Sequence, residues 1–308
     1  MIQIDNLRKR YGKMEALKGL SLEIGKGQVF GFVGPNGAGK STTMLILATL
    51  LEPTSGKAYV GGFDVVKQPR QVRKLIGYMP DFFGVYDNVT SEEYLDFYAS
   101  NYDISPQERK EIIPQLLELV SLSHKRDAYV DSLSRGMKQR LGLARSLVHN
   151  PDVLILDEPA SGLDPRARIE LREILKELRD MGKTIIISSH ILPELAEMCD
   201  VIGIIEGGEM VATGSVDEIY ARMQGYKVLK VRMLDRFDEA AALLERHYKV
   251  TSVKKDGNLL LADFTGTDQE QVVLLQELAS SGLPMAAFAE GEGNLEEIFL
   301  EIVKGAGS

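Results

Sequence analysis

The chain has 308 residues, room for two domains at about 100–200 residues each. Hydrophobic residues make up 44% and charged residues 26%, an ordinary globular composition with material for a sizeable core. A formal net charge of -9 argues against a nucleic-acid partner, which needs a basic face, and the single cysteine, Cys199, excludes an intramolecular disulfide and fits a reducing compartment. Met1–Asp5 lacks the basic, apolar and small-residue order of a secretion signal, so none is expected. No stretch reaches about 18 consecutive apolar residues, so no membrane span is expected either.

Ile2–Leu7 and Ala16–Ile24 read as antiparallel strands joined by glycine turns. Gln28–Val33 is apolar, β-branched and aromatic, the pattern of a buried strand. Gly34-Pro35-Asn36-Gly37-Ala38-Gly39-Lys40-Ser41 follows, and Thr42–Leu51 reads as a helix. Pro53–Gly56 is a turn before a short strand, Lys57–Val60. Residues 88–125 read as helical, with Pro106 in the first turn of the second helix and Pro114 as a candidate kink. Leu133–Arg140 opens another helix, with Ser134 as its N-cap. Val153–Leu156 is a fully apolar run that reads as a buried parallel strand and ends on Asp157 and Glu158. Ser161–Asp164 is a tight loop, and Arg168–Met181 an amphipathic helix closed by Gly182. Lys183–Ser188 and Val201–Ile205 are further buried strands, and Cys199 reads as a small residue in a helix between them. Parallel strands alternating with helices predict an α/β nucleotide-binding core.

The composition shifts near Gly225. Beyond it come a strand (Lys227–Met233), a helix (Phe237–His247), two strands (Val250–Lys254, Leu259–Phe264), a helix (Glu270–Ser280) and a strand (Met285–Phe288). This βαββαβ order predicts a small α+β, ferredoxin-like C-terminal domain over residues 225–308, following a first domain over residues 1–224. A last helix is expected over Asn294–Val303.

The glycine-rich segment carries the chemistry. A strand, a glycine turn and a helix N-terminus aim backbone N–H groups at one spot, which binds phosphate. Lys40 then reaches the β- and γ-phosphates and the Ser41 hydroxyl ligates Mg²⁺, so Gly34, Pro35, Asn36, Gly37, Ala38, Gly39, Lys40, Ser41 and Thr42 form the predicted nucleotide cradle. Asp157, at the end of a buried strand, can hold Mg²⁺ directly or through water. Glu158 can orient or deprotonate an attacking water. His190 follows Ser188-Ser189 at the strand end facing the phosphates, which favours a γ-phosphate contact over a place in the core. His124, His149 and His247 have no such placement and read as surface or structural residues.

In this order and spacing the motifs resemble the ATPase subunit of ATP-binding-cassette (ABC) transporters, over residues 1 to about 220. Gly34–Ser41 matches the family's Walker A loop, Val153–Glu158 its Walker B strand, Leu133–Arg140 its signature, Ser161–Asp164 its D-loop and His190 its switch histidine. Tyr11 falls where the family places an aromatic that stacks on adenine. The resemblance implies a P-loop NTPase of ABC type: a RecA-like core, an antiparallel β subdomain and a helical subdomain. It implies ATP and Mg²⁺ as ligands and ATP hydrolysis as the reaction. It implies a second ATPase subunit, a homodimer by expectation, whose signature residues Ser134 and Gly136 contact the nucleotide held by the first, and it places Asp164 of the D-loop among the nucleotide-binding residues. It also implies an integral membrane permease as partner, and hence a cytoplasmic protein held at the inner face of the membrane through that permease.

The sequence departs from the family at three positions. Arg135 and Met137 stand in the signature where Gly and Gln are usual, and Asp81 stands where Gln is common. Asp81 can still reach Mg²⁺ through water, against the alternative of a plain loop carboxylate. Phe82-Phe83-Gly84-Val85-Tyr86 is expected to mix permease-facing and internally packed aromatics. The layout looks like bacterial exporter subunits with separate membrane subunits. The rival is a soluble ABC ATPase acting on a macromolecular partner. For the C-terminal domain, a packing or dimerisation module is preferred over a ligand-binding one, because no convergent polar cluster stands out.

Overall fold

The computed structural model describes residues 1–81, 84, 88–223 and 227–291. The chain divides into two compact units, Met1–Val216 and Asp217–Ser308. The domain break anticipated after residue 224 lies C-terminal to that division.

In the first unit, β1 (Ile2–Tyr11), β2 (Met14–Ile24), β4 (Ser55–Val60) and β5 (Phe63–Asp64) form an antiparallel sheet in the order β2-β1-β4-β5. A second sheet holds β3 (Val29–Val33), β6 (Ile76–Met79), β7 (Val153–Leu156), β8 (Thr184–Ser189), β9 (Val201–Glu206) and β10 (Glu209–Ser215), in the order β10-β9-β3-β8-β7-β6. All its neighbours are parallel except the edge strand β10. Every residue of β3, β7 and β8 is buried, as the uninterrupted apolar runs require of strands covered on both faces. Because β3, β6, β7 and β8 run parallel, their C-terminal ends share one sheet edge. That edge carries the glycine loop, Asp81, Asp157-Glu158 and His190. Leu20 and Ile24 of the antiparallel sheet share one core cluster with Phe30, Met44, Ile155 and Ile186.

The helices of this unit are α1 (Lys40–Leu47), α2 (Pro69–Leu75), α3 (Ser91–Ser100), α4 (Pro106–Leu119), α5 (Arg135–Leu147), α6 (Pro165–Asp180) and α7 (Leu192–Ala196), among the described residues. Thr90 with Glu93 and Ser105 with Glu108 make reciprocal capping boxes that start α3 and α4. Pro106 takes the first turn of α4, and the helix continues through Pro114. The first helix starts and ends earlier than expected: it begins at Lys40 and stops at Leu47, where Thr49 turns left-handed at φ 62°. Cys199 lies just beyond α7 rather than inside a helix. It is buried against Gly31, and burial pushes its thiol pKa up.

The second unit begins within α8 (Val216–Met223). It continues through β11 (Lys227–Met233), α9 (Phe237–Arg246), β12 (Val250–Asp256), β13 (Leu259–Phe264), α10 (Asp268–Ser280) and β14 (Met285–Gly291). The sheet order is β12-β13-β11-β14 with every pair antiparallel, which is the ferredoxin-like arrangement. Leu229, Val231, Leu260 and Phe264 of the sheet close a core with Leu244, Leu274 and Leu278 of the helices. The helix expected over Asn294–Val303, and the side chains of Phe82, Phe83, Val85 and Tyr86, lie outside the described residues.

Candidate nucleotide site

The glycine loop joins β3 to α1 and is shaped by what no side chain could share. A Cβ on Gly34 would meet the Ile205 carbonyl at 2.3 Å. Gly39 has φ 112°, and a Cβ there would sit 2.7 Å from Leu17 and 2.9 Å from the Ala16 carbonyl. The loop can therefore wrap tightly and present its backbone to a ligand.

Lys40 opens α1, yet its side chain folds back and is only 5% exposed. Its Nζ donates to the Gly34 carbonyl at 2.5 Å and the Pro35 carbonyl at 3.3 Å. It also lies 3.6 Å from Glu158 Oε1. Burial lowers the Lys40 pKa, and the carboxylates of Glu158 and Asp157 oppose that shift.

Glu158 takes a left-handed backbone, φ 49°, unusual for a residue with a side chain. One hydroxyl fixes this corner. Ser188 Oγ accepts the Glu158 N–H at 2.8 Å and donates to Asp157 Oδ1 at 2.5 Å. The other Glu158 oxygen, Oε2, is 3.0 Å from His190 Nδ1. The base candidate is thus held between a lysine and an imidazole. Sequence reasoning quoted Ser188 only as part of a strand end. Its signal was a hydroxyl directly after the Ile185-Ile186-Ile187 run, at the strand end beside the two acids.

These groups surround one cleft of about 360 Å³, within the range of small-molecule sites at about 300–1,000 Å³. Tyr11, Pro35, Asn36, Gly37, Gly39, Lys40, Ser41, Thr42, Asp81, Glu158 and His190 line it, joined by Met14, Ala16 and Ser161. Tyr11 stands at the end of β1, 43% exposed, with the Lys9 ammonium 5.2 Å from its ring centre. Gly34, Ala38 and Asp157 stand behind the lining. Gly34 contributes its carbonyl to Lys40, Ala38 is buried, and Asp157 is 4% exposed under Ser188.

Ser134, Gly136 and Asp164 are not in this cleft. They line a second one with Arg135, Met137, Arg140 and Gly162, and among the described residues the two linings share no member. Ser134 caps α5 by accepting the Met137 N–H at 3.3 Å. Asp164 caps α6 by accepting the Ala167 N–H at 2.8 Å. The Arg135 guanidinium occupies the place a Cβ on Gly162 would need, 2.4 Å from its Cζ. The unusual arginine therefore packs on the loop after Glu158. That loop faces both ways, with Ser161 in the first cleft and Gly162, Leu163 and Asp164 in the second.

The residues fit a nucleotide with a divalent ion. The glycine cradle excludes side chains, a buried lysine rests on two carbonyls and the Glu158 carboxylate, and Ser41 and Asp157 offer the hard oxygen donors that Mg²⁺ takes. Among the described residues no cluster of three or more metal-binding side chains occurs, so such an ion would draw its remaining oxygens from phosphate and water. No described helix is long and apolar enough to cross a membrane.

Comparison with known proteins identifies the family. Residues 17–161 match the family model for "ABC transporter", and residues 214–303 match that for "ATP-binding protein DrrA1-3-like, C-terminal domain". The chain is 33% identical to the linearmycin resistance ATP-binding protein LnrL of Bacillus subtilis, over 98% of each chain. It is 32% identical to the Nod factor export ATP-binding protein I of Ralstonia nicotianae, over 98% of this chain and 93% of that one. A solved dimeric ATP-binding cassette, in a post-hydrolysis state with ADP and Pi, superimposes with a TM-score of 0.64 at 26% identity, over 70% of this chain and 99% of that one.

Proposed function

The chain belongs to the ATP-binding subunits of ABC transporters, and from that membership we propose that it works as one half of an ATPase dimer that drives an export permease, with Glu158 as the general base. The observation that carries the site assignment is the Glu158 carboxylate, held at the mouth of the glycine cradle between Lys40 Nζ and His190 Nδ1.

The steps follow from these contacts. Backbone N–H groups at the start of α1 receive the phosphates, and Tyr11 offers a ring face to the adenine. Lys40 leaves the Gly34 and Pro35 carbonyls for phosphate oxygens, a better partner because it is anionic. That departure removes the cation from Glu158 and frees its carboxylate to take a proton from water. His190 orients the carboxylate through Nδ1 and, as part of the same cleft lining, would contact the terminal phosphate. Ser41 and Asp157 would hold Mg²⁺, with Asp81 near it, and that ion supplies neutralisation of phosphate charge.

The second cleft gives the reason for a dimer. Ser134 at the N-terminus of α5 offers donors to an anion, but it lines a different surface from the cradle of its own chain. A second copy turned head to tail brings the two together, and loss of the γ-phosphate parts them. The names of the resistance and export relatives support a membrane permease as the load and export as its direction. They give no support to the rival reading of a non-transport ATPase. Isolation of the tagged chain from solubilised membranes tests this. An integral membrane protein is expected to co-purify, and ribosomes in its place would contradict the reading.

A further inference from the structure

Glu158 and His190 are linked twice. The direct link is the 3.0 Å contact between Nδ1 and Oε2. The second runs behind the cleft. From Glu158 the chain turns tightly: the Ser161 N–H donates to the Glu158 carbonyl at 3.0 Å, and the Leu163 N–H to the Ala160 carbonyl at 3.2 Å. The Leu163 carbonyl then accepts from Arg168 Nε at 3.3 Å. The same guanidinium pairs through Nη1 with Glu194 Oε1 at 3.0 Å. Glu194 Oε2 accepts from Ser189 Oγ at 3.4 Å. Ser189 Oγ in turn accepts the Ile191 N–H at 3.0 Å, which closes a turn over His190. The path returns to its start as a closed ring, all of it inside the first unit.

The ring is built from stiff parts. Arg168 sits in the first turn of the sixteen-residue α6, so its anchor is firm. The Glu194 side chain is only 9% exposed, and burial raises its pKa against the pull of Arg168 and Ser189. A buried carboxylate of this kind needs its partner. A planar guanidinium can hold two acceptors in fixed directions, here the Leu163 carbonyl and Glu194, which an ammonium cannot match.

We propose that Arg168 is a positioning residue for hydrolysis: by tying the Leu163 carbonyl to Glu194 it couples the Ser161–Asp164 loop to the Ser189–Ile191 turn and sets His190 against Glu158. The proposal rests on the ATPase reading. Its consequence is that a shift of the loop, which faces both clefts, reaches His190 inside the same chain. Neither Arg168 nor Glu194 lines the nucleotide cleft, so the coupling acts on turnover and not on nucleotide binding.

The full-length chain is tested with Arg168→Gln, Arg168→Lys, Glu194→Gln and the double change Arg168→Gln/Glu194→Gln. ATP affinity is read by calorimetry, kcat by phosphate release and folding by thermal denaturation. Arg168→Gln and Glu194→Gln should each lower kcat by about tenfold, the scale of a small misplacement of catalytic groups. ATP affinity should stay within about twofold, and Arg168→Lys should recover part of kcat. The double variant should be no slower than the slower single one, because both changes cut one strut. Folded single variants with kcat within about twofold of the parent would overturn the proposal, as would losses that multiply in the double variant. A parent chain that turns over no ATP would overturn the ATPase reading itself, and the strut with it.

Discussion

Lys40 and Glu158 form an ion pair inside the phosphate cradle, Nζ to Oε1 at 3.6 Å, with side chains 5% and 12% exposed. The cation that should meet phosphate and the carboxylate that should take a proton thus occupy each other. Burial lowers the Lys40 pKa, while Glu158 and Asp157 favour its charged form. On the proposed reading, an arriving triphosphate would replace two neutral carbonyls and one carboxylate as partners of this ammonium. Binding and arming of the base would then be one event.

Removing the cation should therefore weaken binding first. Lys40→Ala deletes the charge that pairs with the β- and γ-phosphates, each such hydrogen bond contributing about 1.5–3 kcal/mol. ATP affinity should fall roughly tenfold to a hundredfold in calorimetry, at about 1.4 kcal/mol per tenfold. An unchanged affinity would contradict the role given to the loop.

Asp81 lies in the same cleft lining as Glu158 and His190. If its carboxylate favours the bound ion, Asp81→Asn should raise the Mg²⁺ concentration needed for half-maximal turnover or slow hydrolysis, with metal-free nucleotide binding unaltered. Asp81→Gln, the residue common in the family, should keep substantial activity. Identical rates and metal titrations in both variants would leave Asp81 as a loop carboxylate.

Much of the fold is legible in the sequence, because apolar runs and glycine turns carry it. β3, β7, β8 and β9 stand out as uninterrupted apolar segments, and the second unit follows its βαββαβ order strand for strand. β6 does not stand out, since Gly77 divides four residues and Pro80 follows them. β10 also escapes, a half-exposed edge strand with little apolar pattern. In the site, residue types and spacing point to the cradle and the acids. They cannot show that Asp157 sits behind the lining, that Ser188 holds both acids, or that Arg135 packs on Gly162. Those relations join segments separated in sequence.

His149 supplies a pH dependence. Its Nε2 lies 2.9 Å from the Ile76 carbonyl, its ring stacks on Tyr102 at 3.8 Å, and its buried Nδ1 has no partner among the described residues. Charging the ring would place a proton on that nitrogen. Burial accordingly lowers the His149 pKa, and Lys183 lowers it further. With the folded value below the usual 6.5, the unfolded chain takes up the proton first. Stability is then full above about pH 6.5 and falls as pH drops toward the lowered folded value. Urea unfolding at pH 7, 6 and 5 should show this decline in the parent and a shallower one in His149→Gln. Equal slopes would remove His149 as the cause.

The second unit has its own core, with Leu229, Val231, Leu260 and Phe264 facing Leu244, Leu274 and Leu278. A chain ending after Met223 should therefore fold and bind ATP with the affinity of the full protein. An aggregated or unfolded product would show that the two units depend on one core.

The most direct test of the whole account is single-site loss of the base. Glu158→Gln keeps the shape of the side chain but cannot accept the proton, so phosphate release should fall by about 10²–10⁴-fold while ATP binding persists. With hydrolysis blocked, ATP and Mg²⁺ should convert the chain to a stable dimer in gel filtration. Turnover at the parent rate by the Glu158→Gln chain, with no ATP-dependent dimer, would contradict the central claim.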